Sequence, residues 1–107
     1  MSRKKAAKTG QARPRIRIEN SCFRGLEIPL KKKRVIIGRS LSSDICLDDS
    51  LVSDEHAEIS RTKDGNFKIK DLNSRNGLQV NSRGAHERIL KNGDIIGIGS
   101  FQLKFIC

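Results

Sequence analysis

Three short segments carry the side chains best able to do chemistry: Gly38-Arg39-Ser40, Ser53-Asp54-Glu55-His56 and Asp71-Leu72-Asn73-Ser74-Arg75-Asn76-Gly77. Arg39 presents a planar fork of donors that matches two phosphate oxygens at once. Ser53 offers a hydroxyl donor for a third oxygen. Asn76 carries both a donor and an acceptor, which suits a peptide backbone better than a phosphate. Together these side chains describe a site for a phosphorylated, extended peptide. Arginine, serine and asparagine are common in loops, so their spacing alone does not establish the site.

Two other chemistries use the same residues. Ser53 and His56, with Asp48 or Asp49, have the residue types of a hydrolytic triad. A serine and a histidine three apart at a strand end do not give nucleophile–base geometry, and no Gly-x-Ser-x-Gly turn occurs. The chain therefore reads as non-enzymatic. The acidic group Asp44, Asp48, Asp49, Asp54, Glu55 and Glu58 lacks the Asp-x-Asp-x-Asp-Gly spacing of a calcium loop. These carboxylates are expected to be solvated and to balance nearby arginines. Cys22, Cys46, Cys107, His56 and His86 stand apart, without zinc spacing, so neither a metal nor a cofactor is expected. The thiols read as reduced and at least half-buried, in an intracellular, cytoplasmic protein.

Loop side chains of this kind need a rigid scaffold to aim them. From Arg15 onward the sequence breaks into short runs of alternating apolar and polar residues, such as Ile16 and Ile18, Phe67 and Ile69, or Phe101, Leu103 and Phe105. Period-two alternation predicts strands. Between the runs stand Lys63-Asp64-Gly65-Asn66, Asn76-Gly77, Asn92-Gly93 and Gly99-Ser100, whose glycines supply the positive φ of tight turns. No sustained 3.6-residue period appears. About ten such runs predict an all-β sandwich or barrel. His56–Ser60 is the strand expected to follow the second segment.

The chain has 107 residues, which suits one domain, and 22 Lys+Arg against 12 Asp+Glu give a net charge of +10. That charge is uneven. Arg3, Lys4, Lys5, Lys8, Arg13, Arg15 and Arg17 precede any acid, and Lys31-Lys32-Lys33-Arg34 form a second group. Without these two groups the remainder is close to neutral, which argues against a whole domain built as a nucleic-acid clamp. Residues 1–14 read as a basic, flexible arm ending at Pro14, and residues 15–107 as the sandwich domain. The arm is the ground for an alternative role as a nucleic-acid adaptor, although it contains no aromatic residue for base stacking. No apolar run approaches the roughly 20 residues needed to cross a bilayer, and none follows the basic N-terminus as in a secretory signal.

The three segments, in this order, resemble the forkhead-associated (FHA) domain family. Its pattern is a Gly-Arg after a strand, then Ser-x-x-His, then Asp-Leu-x-Ser ahead of Asn-Gly. Here it reads IIGRS at 36–40, VSDEHAEI at 52–59 and DLNSRNGLQVN at 71–81, with LKNGDIIGIGSFQLKF at 90–105 similar to the family's final hairpin. The resemblance implies a twisted sandwich of about eleven short, mostly antiparallel strands whose loops at one end bind phosphothreonine peptides. It implies that Arg39 and Ser53 hold the phosphate, that Arg75 lines the pocket and that Asn76 bonds the peptide main chain. Gly38, His56 and Gly77 match positions that shape and brace the loops. Preference for threonine over serine follows in the family from a methyl-sized pocket, worth about 1–3 kcal/mol. Leu51 matches a position that reads the third residue after the phosphothreonine, which implies a hydrophobic preference there.

Asp54 departs from the family, where Arg, Lys or Asn often follows the motif serine. A carboxylate beside a phosphate dianion repels it. Either Asp54 turns away, pairing with Arg39 or Arg75 in the free protein, or binding is weak. The partner implied is thus a phosphothreonine-containing protein in phosphorylation-dependent signal transduction. A phosphate-independent interaction scaffold is the competing reading. A phosphorylated Thr9 folding back into the Arg39 pocket is a further hypothesis.

Overall fold

The computed structural model describes residues 13–107. Thr9 and most of the basic arm lie outside the described residues. Eleven strands follow in chain order: β1 (Arg15–Ile18), β2 (Glu27–Pro29), β3 (Arg34–Gly38), β4 (Ile45–Cys46), β5 (Ala57–Arg61), β6 (Phe67–Asp71), β7 (Leu78–Val80), β8 (Arg83–Ala85), β9 (Glu87–Leu90), β10 (Ile95–Ile98) and β11 (Phe101–Ile106). Among the described residues no helix is long and apolar enough to cross a membrane.

The strands form two sheets, one of five strands in the order β9-β6-β5-β3-β4 and one of six in the order β2-β1-β11-β10-β7-β8. All neighbours are antiparallel except β3 and β4. Alternation places one side of each strand in the core. Ile37, Ala57, Ile59 and Ile69 of the first sheet, with Ile16, Val80, Ile96, Ile98, Leu103 and Phe105 of the second, are almost wholly buried. The Phe67 and Phe105 rings meet across the core with centroids 5.5 Å apart. This is a closely packed sandwich rather than a closed barrel.

Register fixes which loops meet. Ile37 pairs with Ala57 and Ala57 with Asp71, so the end of β3, the start of β5 and the end of β6 are adjacent. Val80 pairs with Ile96 and Gln79 with Gly97, which brings the start of β7 and the end of β10 to the same end of the sandwich. The segments carrying Arg39, Ser53 and Asn76 therefore converge, although they are far apart in sequence.

Some expectations are corrected. Cys22, Cys46 and Cys107 are all exposed rather than buried or half-buried. Cys46 follows the inward Ile45, so strand alternation turns its thiol outward, while Cys22 sits in the β1–β2 turn and Cys107 ends the chain. Leu26, read as part of an alternating run, precedes β2 and is exposed. The runs counted in the sequence omit β8, whose Arg83-Gly84-Ala85 has no apolar alternation to announce it.

Candidate functional site

A cavity of about 270 Å³ lies where these loops converge, and Arg39, Leu51, Ser53, Asp54, Arg75 and Asn76 line it together with Ser50 and Val52. All four predicted peptide-contacting residues and both predicted specificity residues are thus brought to one place. Gly38, His56 and Gly77 stand behind them.

Gly38 ends β3 in direct contact with the next loop. A Cβ there would lie 2.0 Å from the Asp54 carbonyl oxygen, so only glycine fits. The approach joins the two loops by backbone: Arg39 N–H donates to Ser53 O at 2.9 Å, and Ser40 N–H to Asp54 O at 3.2 Å. Arg39 therefore leaves the sheet with its main chain fastened and its side chain exposed. Among the described residues its guanidinium has no ion-pair partner within 4 Å.

His56 is wholly buried and joins the second segment to the third. Its Nδ1 accepts the Ser53 N–H at 3.0 Å and so carries no proton. The proton is on Nε2, which donates to the Gly77 carbonyl at 2.7 Å. Neither nitrogen addresses the Ser53 hydroxyl, so the Ser53–His56 pair does not form a nucleophile and its base. The Ser53 oxygen instead accepts the Arg75 N–H at 3.0 Å, leaving its own proton free to donate outward. Gly77 holds φ +81°, the left-handed turn for which glycine is suited.

Asn76 has a role in the free protein as well. Its Nδ2 donates to the Leu51 carbonyl at 2.9 Å, tying the third loop to the second. The amide oxygen remains available to accept a peptide N–H. The Asp54 N–H has no hydrogen-bond acceptor among the described residues, and the Asp54 carboxylate pairs with neither Arg39 nor Arg75.

Sequence reasoning assigned no role to three residues that hold this arrangement. Asp71 is buried and accepts both the Ser74 hydroxyl, at 2.5 Å, and the Ser74 N–H, at 3.0 Å. Ser74 in turn accepts the Gly77 N–H at 2.9 Å. The Asp-x-x-Ser spacing was the signal, since a carboxylate and a hydroxyl three apart favour such a local turn. Asp49, expected from the sequence to be solvated, instead accepts the Ser100 hydroxyl at 2.6 Å, the Ser100 N–H at 2.8 Å and the Leu51 N–H at 3.2 Å. These bonds, foremost the Ser100 hydroxyl, hold its carboxyl below the usual range, and the nearby Arg39 charge adds a small part. The other acids divide. Arg34 lowers Glu58, and the Ile36 N–H followed by Lys32 lowers Asp44. Among the described residues no group of three or more potential ligands could hold a metal ion.

The family model of the FHA domain matches residues 35–99. The chain is 42% identical over 82 residues to the oxoglutarate dehydrogenase inhibitor of Corynebacterium diphtheriae, covering 77% of this chain and 57% of that protein. It is 45% identical over 69 residues to the glycogen accumulation regulator GarA of Mycolicibacterium smegmatis, covering 64% and 43%. The chain thus spans about half the length of these relatives. A solved FHA domain, studied for its phosphothreonine-dependent interactions, superimposes with a TM-score of 0.81 at 28% identity, covering 89% of this chain and 96% of that one. The two sheets, the loops at one end and the extent of the family match lead to one conclusion: the chain belongs to the FHA domain family.

Proposed function

We propose that this chain is a phosphothreonine-peptide recognition module that mediates phosphorylation-dependent protein–protein interaction. The observation that carries this reading is the meeting of Arg39 and Ser53 in one cavity, each with donors left over. The Arg39 fork and the Ser53 hydroxyl take the phosphate, and the Asp54 N–H adds a further donor. The Asn76 amide oxygen registers the peptide backbone, and Arg75 lines the same cavity. Leu51, about half exposed, supplies an apolar surface for the third residue after the phosphothreonine. The phosphate meets donors whose main chains are already fastened, so little ordering is required on binding. The module binds without catalysing, and a cytoplasmic setting suits its three exposed thiols.

Calorimetric titration with a degenerate phosphothreonine peptide pool, beside phosphoserine and unphosphorylated pools, tests this. The expected result is binding by the phosphothreonine pool. Arg39→Ala should weaken it by about 2–5 kcal/mol, the loss of one partner from a hydrogen-bonded charge pair. Binding indifferent to phosphate and to Arg39 would replace this reading with the phosphate-independent scaffold.

A further inference from the structure

Among the described residues Asp54 stands in the cavity without a counter-ion. Its backbone is held, because the Asp54 carbonyl accepts from Ser40 N–H and, at 3.3 Å, from the Ser43 hydroxyl. Its side chain is exposed and, among the described residues, has neither an ion pair nor a hydrogen bond. Of the other carboxylates near this end, Asp48 is exposed and, among the described residues, likewise without an ion pair, but it does not line the cavity. Asp49 is taken up by Ser100 and Leu51, and Glu55 lies along a different groove with Lys32, Lys33 and Arg34. Among the described residues Asp54 is thus the one unneutralised acid lining a cavity that also holds Arg39 and Arg75.

A lone carboxylate beside an anion-binding site opposes the anion unless the same ligand brings a cation to it. We infer that Asp54 makes this module selective for phosphothreonine with a lysine or arginine within two residues of it. This rests on the phosphopeptide reading above and names the class of peptide that the site takes. Arg39 and Ser53 draw the phosphate, while Asp54 draws the neighbouring ammonium or guanidinium and turns away acidic flanks. The peptide recognised is therefore zwitterionic around its phosphothreonine. The kinase that prepares it must accept basic residues next to its target threonine.

The test is a set of phosphothreonine peptides in which each position within two residues of the phosphothreonine carries lysine, alanine or glutamate in turn. Fluorescence anisotropy reads their affinities for the wild type, Asp54→Asn and Asp54→Lys. One exposed charge pair changes affinity by a factor of about two to five. Lysine and glutamate at the responsive position should therefore differ by about tenfold in the wild type, less at high salt. In Asp54→Asn the difference should vanish while the alanine peptide binds more tightly, because the repulsion of the phosphate is gone. In Asp54→Lys the order should invert, with glutamate preferred. Equal affinities across the lysine and glutamate peptides in the wild type, or a lysine preference that survives in Asp54→Lys, would overturn the inference and leave phosphothreonine recognition intact. Failure of every phosphothreonine peptide to bind would overturn both.

Discussion

The β5–β6 turn, at one end of the sandwich, and the cavity loops, at the other, are held by different means. The β5–β6 turn closes on itself: Thr62 Oγ1 accepts the Asn66 N–H at 3.1 Å, and Gly65 takes φ +83° between them. At the same end the Asp94 carboxylate takes both the Lys91 N–H, at 2.8 Å, and the more distant Asn81 amide, at 3.0 Å, so only the β5–β6 turn is held by neighbours alone. At the cavity end the ties reach across the chain: His56 to Gly77, Asn76 to Leu51, Ser53 to Arg75 and Asp49 to Ser100. Local bonds shape a turn, whereas these long-range bonds set one loop against another. A binding site assembled from three loops needs the second kind, because its geometry is the distance between loops.

This contrast makes the cavity loops more sensitive to the loss of a single bond than the β5–β6 turn, and His56 their most sensitive point. His56→Ala removes a buried ring and strands the Ser53 N–H and the Gly77 carbonyl together. The lost packing and two abandoned hydrogen bonds should cost about 3 kcal/mol or more of folding stability. Chemical denaturation reads that loss as a lower midpoint with an unchanged slope. Phosphopeptide affinity should fall too, although His56 is too deeply buried to touch a peptide. Retained affinity in a fully folded variant would mean that the loops keep their spacing without this bridge.

A milder way to loosen the same end is acid. Asp49, lowered chiefly by the Ser100 hydroxyl and then by the Ser100 and Leu51 N–H groups, contributes its stabilisation while ionised. A carboxyl whose folded pKa lies below its unfolded value gives full stability above the unfolded pKa, near 4, and loses it as pH falls through the folded one. Asp44 and Glu58 have the same sign, so the whole domain should weaken below about pH 4. Asp49→Asn should be less stable than the wild type at pH 7 and should lose less between about pH 5 and about pH 2. Thermal melts across that range check this, and parallel curves for the two proteins would remove Asp49 from the account.

The same division explains what the sequence disclosed. Turns built from neighbours were readable: Gly65, Gly77, Gly93 and Gly99 all adopt the positive φ that their Asp-Gly, Asn-Gly and Gly-Ser contexts announce. Alternation disclosed ten of the strands, since burial follows every second residue, but β8 packs too little to leave an apolar trace. Asn73, Asn81 and Ser82 also have positive φ, without a glycine to mark them. At the cavity the proposed contacts were legible because Arg39, Ser53 and Asn76 stand in a family's order. What fastens them was less so. Asp71 looks like any strand-end acid until its carboxylate is seen buried against Ser74, and Asp49 like any loop acid until the fold brings Ser100 beside it. Side-chain chemistry is a property of a residue, whereas a bond over a long stretch of chain is a property of the register.

The smallest expected effect is at the other end. Thr62→Ala removes the hydroxyl that accepts the Asn66 N–H, but the turn keeps its backbone bond from Thr62 N–H to Asn66 O at 2.8 Å and from Gly65 N–H to Thr62 O at 3.1 Å. Asn66 is exposed, so water replaces the lost acceptor. Stability should fall by less than about 1 kcal/mol. Phosphopeptide affinity should not change, because no bond of this turn reaches the cavity loops. Denaturation and anisotropy on this variant, set beside His56→Ala, measure the contrast itself. If Thr62→Ala weakened peptide binding, the two ends would be coupled through the sheets, and the separation between this locally closed turn and the cross-linked loops would have to be abandoned.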